Sequence, residues 1–124
     1  MSKRPRVLIV DDDPWFADSI AHGLVLEGFD VEVAPHALDG IKRIDNMKPA
    51  AIILDLFMPG PNGIVLLHEL QSYSDLARIP IIICSNSAES ISRRDLAAYG
   101  VSDVFDKASL RSRDLASALR GAIS

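Results

Sequence analysis

Short apolar runs alternate along the chain with segments whose apolar positions recur every three or four residues. The runs fall at residues 7–10, 31–34, 51–54, 80–84 and 101–105 and are rich in valine and isoleucine. Near-continuous apolar runs of this length fit strands covered on both faces, as in a parallel sheet, better than strands with one wet face. After the first run, Asp13 is placed to cap a helix and Pro14 suits its first position. Phe16, Ile20 and Leu24 then form an inward face, and Gly28 ends the segment. Leu38, Ile41 and Ile44 predict a second helix, and Ile64, Leu67 and Leu70 a third. Residues 90–99 read as a fourth, stopped by Gly100. Ser112 is placed to cap the fifth, on which Leu115, Leu119 and Ile123 share a face.

A strand followed by a helix thus occurs five times. Right-handed crossovers turn that order into an α/β fold with a five-stranded parallel sheet, doubly wound (βα)5, and helices on both faces. The expected strand order is the flavodoxin-like 2-1-3-4-5, with its switch point between the first and third strands. The 124 residues are expected to form one domain over 1–124, without repeats or low-complexity tracts.

Composition narrows the function classes. With 48% hydrophobic and 24% charged residues, the chain is too apolar to be disordered. The lone cysteine, Cys84, has no internal partner for a disulfide and reads as an inert core residue. The basic residues 1–6 precede only four apolar positions before three aspartates, which is neither a signal peptide nor a membrane span. A cytoplasmic location without a membrane partner is expected. The net charge is −4 and the basic residues are scattered, Arg93-Arg94 and Arg111/Arg113 being the densest pairs. Without a basic stripe, direct nucleic-acid binding by this domain is not expected.

In such a sheet, ligands bind beyond the carboxyl ends of the strands at the switch point. There the first strand runs into Asp11, Asp12 and Asp13, the third into Asp55, the fourth into Ser85, and the fifth is followed by Lys107. The second ends in Ala34-Pro35, without a reactive group. Carboxylates gathered this closely resist ionisation unless a cation lies among them. A hard divalent ion such as Mg2+, bound by a few carboxylates and leaving room for phosphate oxygens, meets that need. Lysine adds a point charge for a phosphate and serine a hydroxyl, and an aspartate can itself accept the group. Asp13 reads as a helix cap rather than a metal ligand. His22, His36 and His68 lack metal-ligand spacing and read as surface or packing residues, and Trp15 is expected to be partly exposed near the site.

The segments Val-Asp-Asp-Asp-Pro (10–14) and Asp-Leu-Phe-Met-Pro-Gly-Pro-Asn-Gly (55–63), with Lys107 spaced from Gly100, resemble the CheY-like receiver domains of two-component response regulators over essentially the whole chain. The resemblance implies a phosphorelay switch in which Asp55 accepts a phosphoryl group from a histidine kinase or a histidine phosphotransfer protein. It implies Asp12 as a direct Mg2+ ligand, Asp11 as a partner acting largely through water, and the backbone carbonyl of Phe57 as a further ligand. Lys107 is implied to pair with the acceptor and then the phosphoryl group, and Ser85 to be the switch hydroxyl. Such a domain phosphorylates and dephosphorylates itself without turning over an external substrate, so it is not read as an enzyme. Its output would pass to a downstream protein or a fused output domain. The family commonly uses an interaction face on the fourth helix and fifth strand, to which Ile91, Tyr99 and Val104 would contribute.

Three positions depart from the family pattern. Ala108 stands where a proline, often joined by a cis bond, usually follows the lysine. A non-proline cis bond costs about 2.5–4 kcal/mol, so a trans Lys107–Ala108 bond is expected. Val104 replaces a usual aromatic, and Phe105, one place on, should face the other side of the sheet. Asn86 follows Ser85 where a small residue is typical, and either narrows the phosphate pocket or adds a donor to it. Phe57, two places beyond the acceptor, is expected to shield the acyl phosphate from water. Val104 and Ala108 keep open an alternative, a phosphorylation-independent interaction module. An aspartate-nucleophile phosphatase is disfavoured, because its nucleophile lies in an Asp-x-Asp near the end of the first strand, whereas here the candidate nucleophile, Asp55, follows the third.

Overall fold

The structure, a computed structural model, describes residues 4–57, 63–86 and 93–123. Its strands are β1 (Arg6–Val10), β2 (Asp30–Ala34), β3 (Ala51–Leu54), β4 (Ile81–Ser85) and β5 (Val101–Asp106). Its helices are α1 (Pro14–Leu26), α2 (Ala37–Met47), α3 (Gly63–Gln71), α4 (Arg93–Ala97) and α5 (Ser112–Ile123), with a 3-10 turn at Leu76–Arg78. All strand pairs are parallel, and the order is β2-β1-β3-β4-β5. The expected fold is therefore the observed one.

Strand alternation divides the core in two. Leu8, Val10, Ile52, Leu54, Ile81 and Ile83 point to one side and pack with Ile44, Leu66, Leu67 and Leu70 of α2 and α3. Val7, Ile9, Ile53, Ile82 and Cys84 point to the other and pack with Ile20, Leu24, Leu115 and Leu119 of α1 and α5. The three central strands are buried on both faces, which is why they read as unbroken apolar runs. The edge strand β2 alternates instead.

Helix α1 starts as expected, with the Asp13 carboxylate accepting from the N–H groups of Trp15 and Phe16. It ends in a Schellman motif: Phe29 N–H donates to Leu24 and Gly28 N–H to Val25, with Gly28 at φ 103°. Leu38 and Ile64 lie in the second and third helices, as their spacing predicts, but off the buried faces. Leu38 is 56% exposed and Ile64 43% exposed. The inner face of α2 is instead Ala37, Gly40, Ile44 and Met47, and that of α3 is Gly63, Leu66, Leu67 and Leu70. A helix turns by about 100° per residue, so a one-place error in phase moves a side chain off the core. Of the fourth helix read over 90–99, the structure shows Arg93–Ala97, and residues 90–92 lie outside the described residues. Ser112 is the first residue of α5 rather than its cap; the Arg111 carbonyl accepts from Asp114 and Leu115.

Ser112 has a packing role instead. A Cβ placed on Gly23 would lie 2.0 Å from Ser112 Oγ and 2.4 Å from its Cβ, so α1 and α5 cross at a point where only glycine fits. Gly23→Ala should cost about 1–3 kcal/mol in urea unfolding. Ser112→Gly in the same chain should recover part of that loss. An alanine variant as stable as the wild type would contradict this account of the crossing.

Candidate functional site

The site forms where β1 and β3 part, because Asp11 and Asp55 follow neighbouring strands in register. Val10 pairs with Leu54, and Asp55 N–H donates to the Val10 carbonyl at 3.0 Å. Asp11 N–H is held by Ala34 at 3.1 Å, and Asp11 Oδ1 accepts from Asp13 N–H at 2.9 Å. Asp11 and Asp55 are buried, and Asp12 is half-buried beside them. One carboxylate oxygen from each of the three lies within 4.8 Å of the others.

Lys107 reaches into this cluster from the turn after β5. Its Nζ lies 2.7 Å from Asp11 Oδ2 and 3.1 Å from Asp55 Oδ2, and the lysine side chain is only 6% exposed. Burial alone would push the ammonium toward neutrality. The hydrogen bond and charge of Asp11, then those of Asp55, outweigh burial and raise Lys107 above its ordinary value. For Asp11 the balance differs. Burial raises its carboxyl above the usual carboxylate range, and the contact with Lys107 offsets this only in part. The cluster therefore still has room for positive charge, and its all-oxygen donor set suits a hard divalent cation.

The register of β5 determines how far Lys107 extends. Ile81 pairs with Val101 but Ile82 pairs with Asp103, so one extra residue is accommodated between them. That bulge puts Val101 and Val104, three places apart, against the same core cluster. It also aligns Asp106 with Ser85, and the Lys107 N–H donates to the Ser85 carbonyl at 3.0 Å. The turn beyond is closed by Asp106, whose Oδ1 accepts from Ala108 N–H at 2.9 Å. A proline at 108 has no N–H for that bond. The described residues contain no cis peptide bond, as expected for Lys107–Ala108.

On the other side of the site, the chain returns at Gly63, whose N–H donates to the Leu56 carbonyl at 3.2 Å. A Cβ on Gly63 would lie 2.7 Å from the Asp55 carbonyl oxygen and 2.8 Å from Leu56 Cα. Glycine at the end of the 55–63 segment thus lets α3 begin directly against the Asp55 backbone. Residues 58–62 of that segment lie outside the described residues.

The sequence-derived site residues Asp11, Asp12, Asp55 and Lys107 converge. Ser85 is buried at the end of the adjacent strand. Phe57 is 53% exposed, and its N–H donates to Asp55 Oδ1 at 3.1 Å. Asn86 is exposed. Trp15 is 86% exposed, more than expected. Cys84 is fully buried; burial first, and then the charge of Asp11, pushes its thiol up to about 12. His22, His36 and His68 are exposed, and the His68 ring meets Tyr99 edge-on at 5.1 Å.

Val104 is buried, and Tyr99 is partly buried against the core, so neither offers a broad exposed surface; Ile91 lies outside the described residues. Phe105 packs on the opposite side of the sheet from Val104, as strand alternation requires. Two contacts had no sequence signal: the Asp106 turn, and the ring of Phe16, over which Lys107 Nζ sits 4.6 Å from the centroid.

Lys107→Met would leave Asp11 and Asp55 buried without a cation. Breaking such a pair costs about 3 kcal/mol at neutral pH. In the variant, Asp11 rises further above its unfolded value. A carboxyl raised on folding favours the folded state at low pH, and that support is lost as pH rises through its folded value. The deficit should therefore shrink on acidification. Urea unfolding of both proteins at neutral and mildly acidic pH checks this, and a pH-independent deficit would contradict it.

Comparison with known proteins agrees with this fold. The family model described as the response regulator receiver domain matches residues 7–120. Response regulator MprA of a Mycobacterium species (strain KMS) is 33% identical over 89 residues, covering 72% of this chain and 37% of that protein. The DNA-binding response regulator MtrA of Mycolicibacterium smegmatis is 32% identical, covering 71% of this chain and 37% of that protein. The chain thus spans well under half the length of these curated relatives. The crystal structure of a sensor protein from Polaromonas sp. JS666 superposes with a TM-score of 0.90 at 28% identity, over 98% of this chain and 97% of that one. With the family model covering most of its length, the chain belongs to the response regulator receiver domain family.

Proposed function

We propose that this receiver domain takes a phosphoryl group from a phosphohistidine on Asp55, and that the phosphorylated form changes conformation to control a partner or output domain. The observation that carries the reading is the buried Asp55 carboxylate, 3.1 Å from the Lys107 ammonium and within the acidic cluster of Asp11 and Asp12. In the transfer, an Asp55 oxygen attacks phosphorus, the P–O bond forms as the P–N bond breaks, and the electron pair returns to the donor imidazole.

Asp11, Asp12, Asp55 and the Phe57 carbonyl would hold Mg2+, which when bound neutralises the charge that gathers on the phosphoryl oxygens. Lys107 supplies a second positive charge. It is already in contact with the acceptor, so little reorganisation is needed as the charge develops. The Phe57 N–H fixes the rotamer of Asp55 through Oδ1. Ser85 lies on the strand next to Asp55, where its hydroxyl would pair with a phosphoryl oxygen in one of two conformations. The donor is a histidine kinase or a histidine phosphotransfer protein, met in the cytoplasm. The domain acts on itself and turns over no external substrate. The output passes to a downstream protein or to an output domain joined to this one.

Addition of Mg2+ with beryllofluoride, a phosphoryl mimic, should give a saturable change in Trp15 fluorescence that Asp55→Asn abolishes. No magnesium-dependent response would instead favour the phosphorylation-independent module. Phe57, half-exposed beside Asp55, would shield the acyl phosphate from attacking water. Phe57→Asn should shorten the lifetime of the phosphorylated form several-fold, and equal lifetimes would show that the ring does not shield it.

A further inference from the structure

We infer that Phe16 is a positioning residue for Lys107: its ring is a seat that keeps the ammonium aimed at Asp55 while the lysine's other contacts change. The inference rests on the reading of Asp55 as phosphoryl acceptor. Lys107 Nζ lies 4.6 Å from the Phe16 ring centroid, 2.7 Å from Asp11 and 3.1 Å from Asp55. An ammonium has three N–H donors. Two of these contacts are with carboxylates that a bound cation and a phosphoryl group would also engage. The ring is a contact that neither event consumes.

An aromatic face suits this task better than a polar group. It attracts the cation through its quadrupole, most strongly where water is excluded, and here the lysine side chain is almost wholly buried. It imposes no fixed hydrogen-bond direction, so the ammonium can turn from Asp11 toward a phosphoryl oxygen without leaving the ring. A carboxylate in its place would compete with Asp55, and an aliphatic side chain would fill the space without attracting the charge. Phe16 is held for this role from both sides. The Asp13 carboxylate accepts from its backbone N–H at 3.3 Å, and its side chain packs against the core shared by α1 and α5.

The test uses Phe16→Leu, which keeps an apolar side chain, and Phe16→Tyr, which keeps the aromatic face. In proton NMR, the Lys107 ε-methylene should be shifted upfield by the ring in the wild type and in Phe16→Tyr, and should lose that shift in Phe16→Leu. Beryllofluoride affinity at saturating Mg2+ should fall about fivefold in Phe16→Leu and be retained in Phe16→Tyr. Mg2+ affinity without beryllofluoride should change little in either. If Phe16→Leu fails to fold, pentafluorophenylalanine at position 16, of similar shape but reversed quadrupole, should give the same loss of beryllofluoride affinity. Wild-type affinity in Phe16→Leu, or in the fluorinated protein, would overturn the inference. So would an equal loss in Phe16→Tyr and Phe16→Leu. Failure of the underlying reading looks different: the wild type would then show no beryllofluoride response that depends on Asp55.

Discussion

The buried contact of the Lys107 ammonium with Asp11 and Asp55 is the constraint around which the other features of the site are arranged. Two carboxylates at the ends of adjacent strands would repel each other in a low-dielectric setting, and a cation among them makes the burial tolerable. The compensation is incomplete, since Asp11 remains above its ordinary range while Lys107 is held charged. A cluster left short of positive charge is suited to a divalent ion.

Much of the surrounding architecture serves to bring that contact about. The parallel register of β1 and β3 sets Asp11 and Asp55 side by side. The β5 bulge and the Asp106 turn carry Lys107 across from two strands away. Gly63 lets α3 start against the Asp55 backbone, and the Asp13 cap starts α1 where the Phe16 ring underlies the ammonium. The replacement of proline by Ala108 fits the same scheme, because Asp106 holds the turn through the very N–H that proline lacks. Outward from the site the family pattern is less closely kept. Val104 is a buried aliphatic where the family usually has an aromatic, so a signal carried by this strand would travel through core packing rather than through a swinging ring.

The fold was legible because it depends on patterns that a sequence displays directly. The apolar runs marked the central strands, and Asp13-Pro14 and Gly28 marked both ends of α1. The topological rule then placed Asp11, Asp12, Asp55, Ser85 and Lys107 on one rim. What was not legible depended on phase and distance. Leu38 and Ile64 are apolar but one place out of phase with their helices' buried faces. The bulge leaves no mark in the Val-Ser-Asp-Val segment. The pairing of Lys107 with Asp11, its contact with Phe16 and the crossing of Gly23 with Ser112 join residues far apart in sequence, and only packing in three dimensions brings them together.

In the proposed reading, the phosphoryl group ends on a carboxylate oxygen of Asp55. Phosphorylation by a small acyl or amidophosphate donor in Mg2+, followed by borohydride reduction and peptide mass mapping, tests it most directly. An acyl phosphate is reduced where it stands, so the account predicts homoserine at position 55 and at no other carboxylate, dependent on Mg2+. Reduction at Asp11, Asp12 or elsewhere, or no reduced residue under conditions that saturate a known receiver, would contradict it.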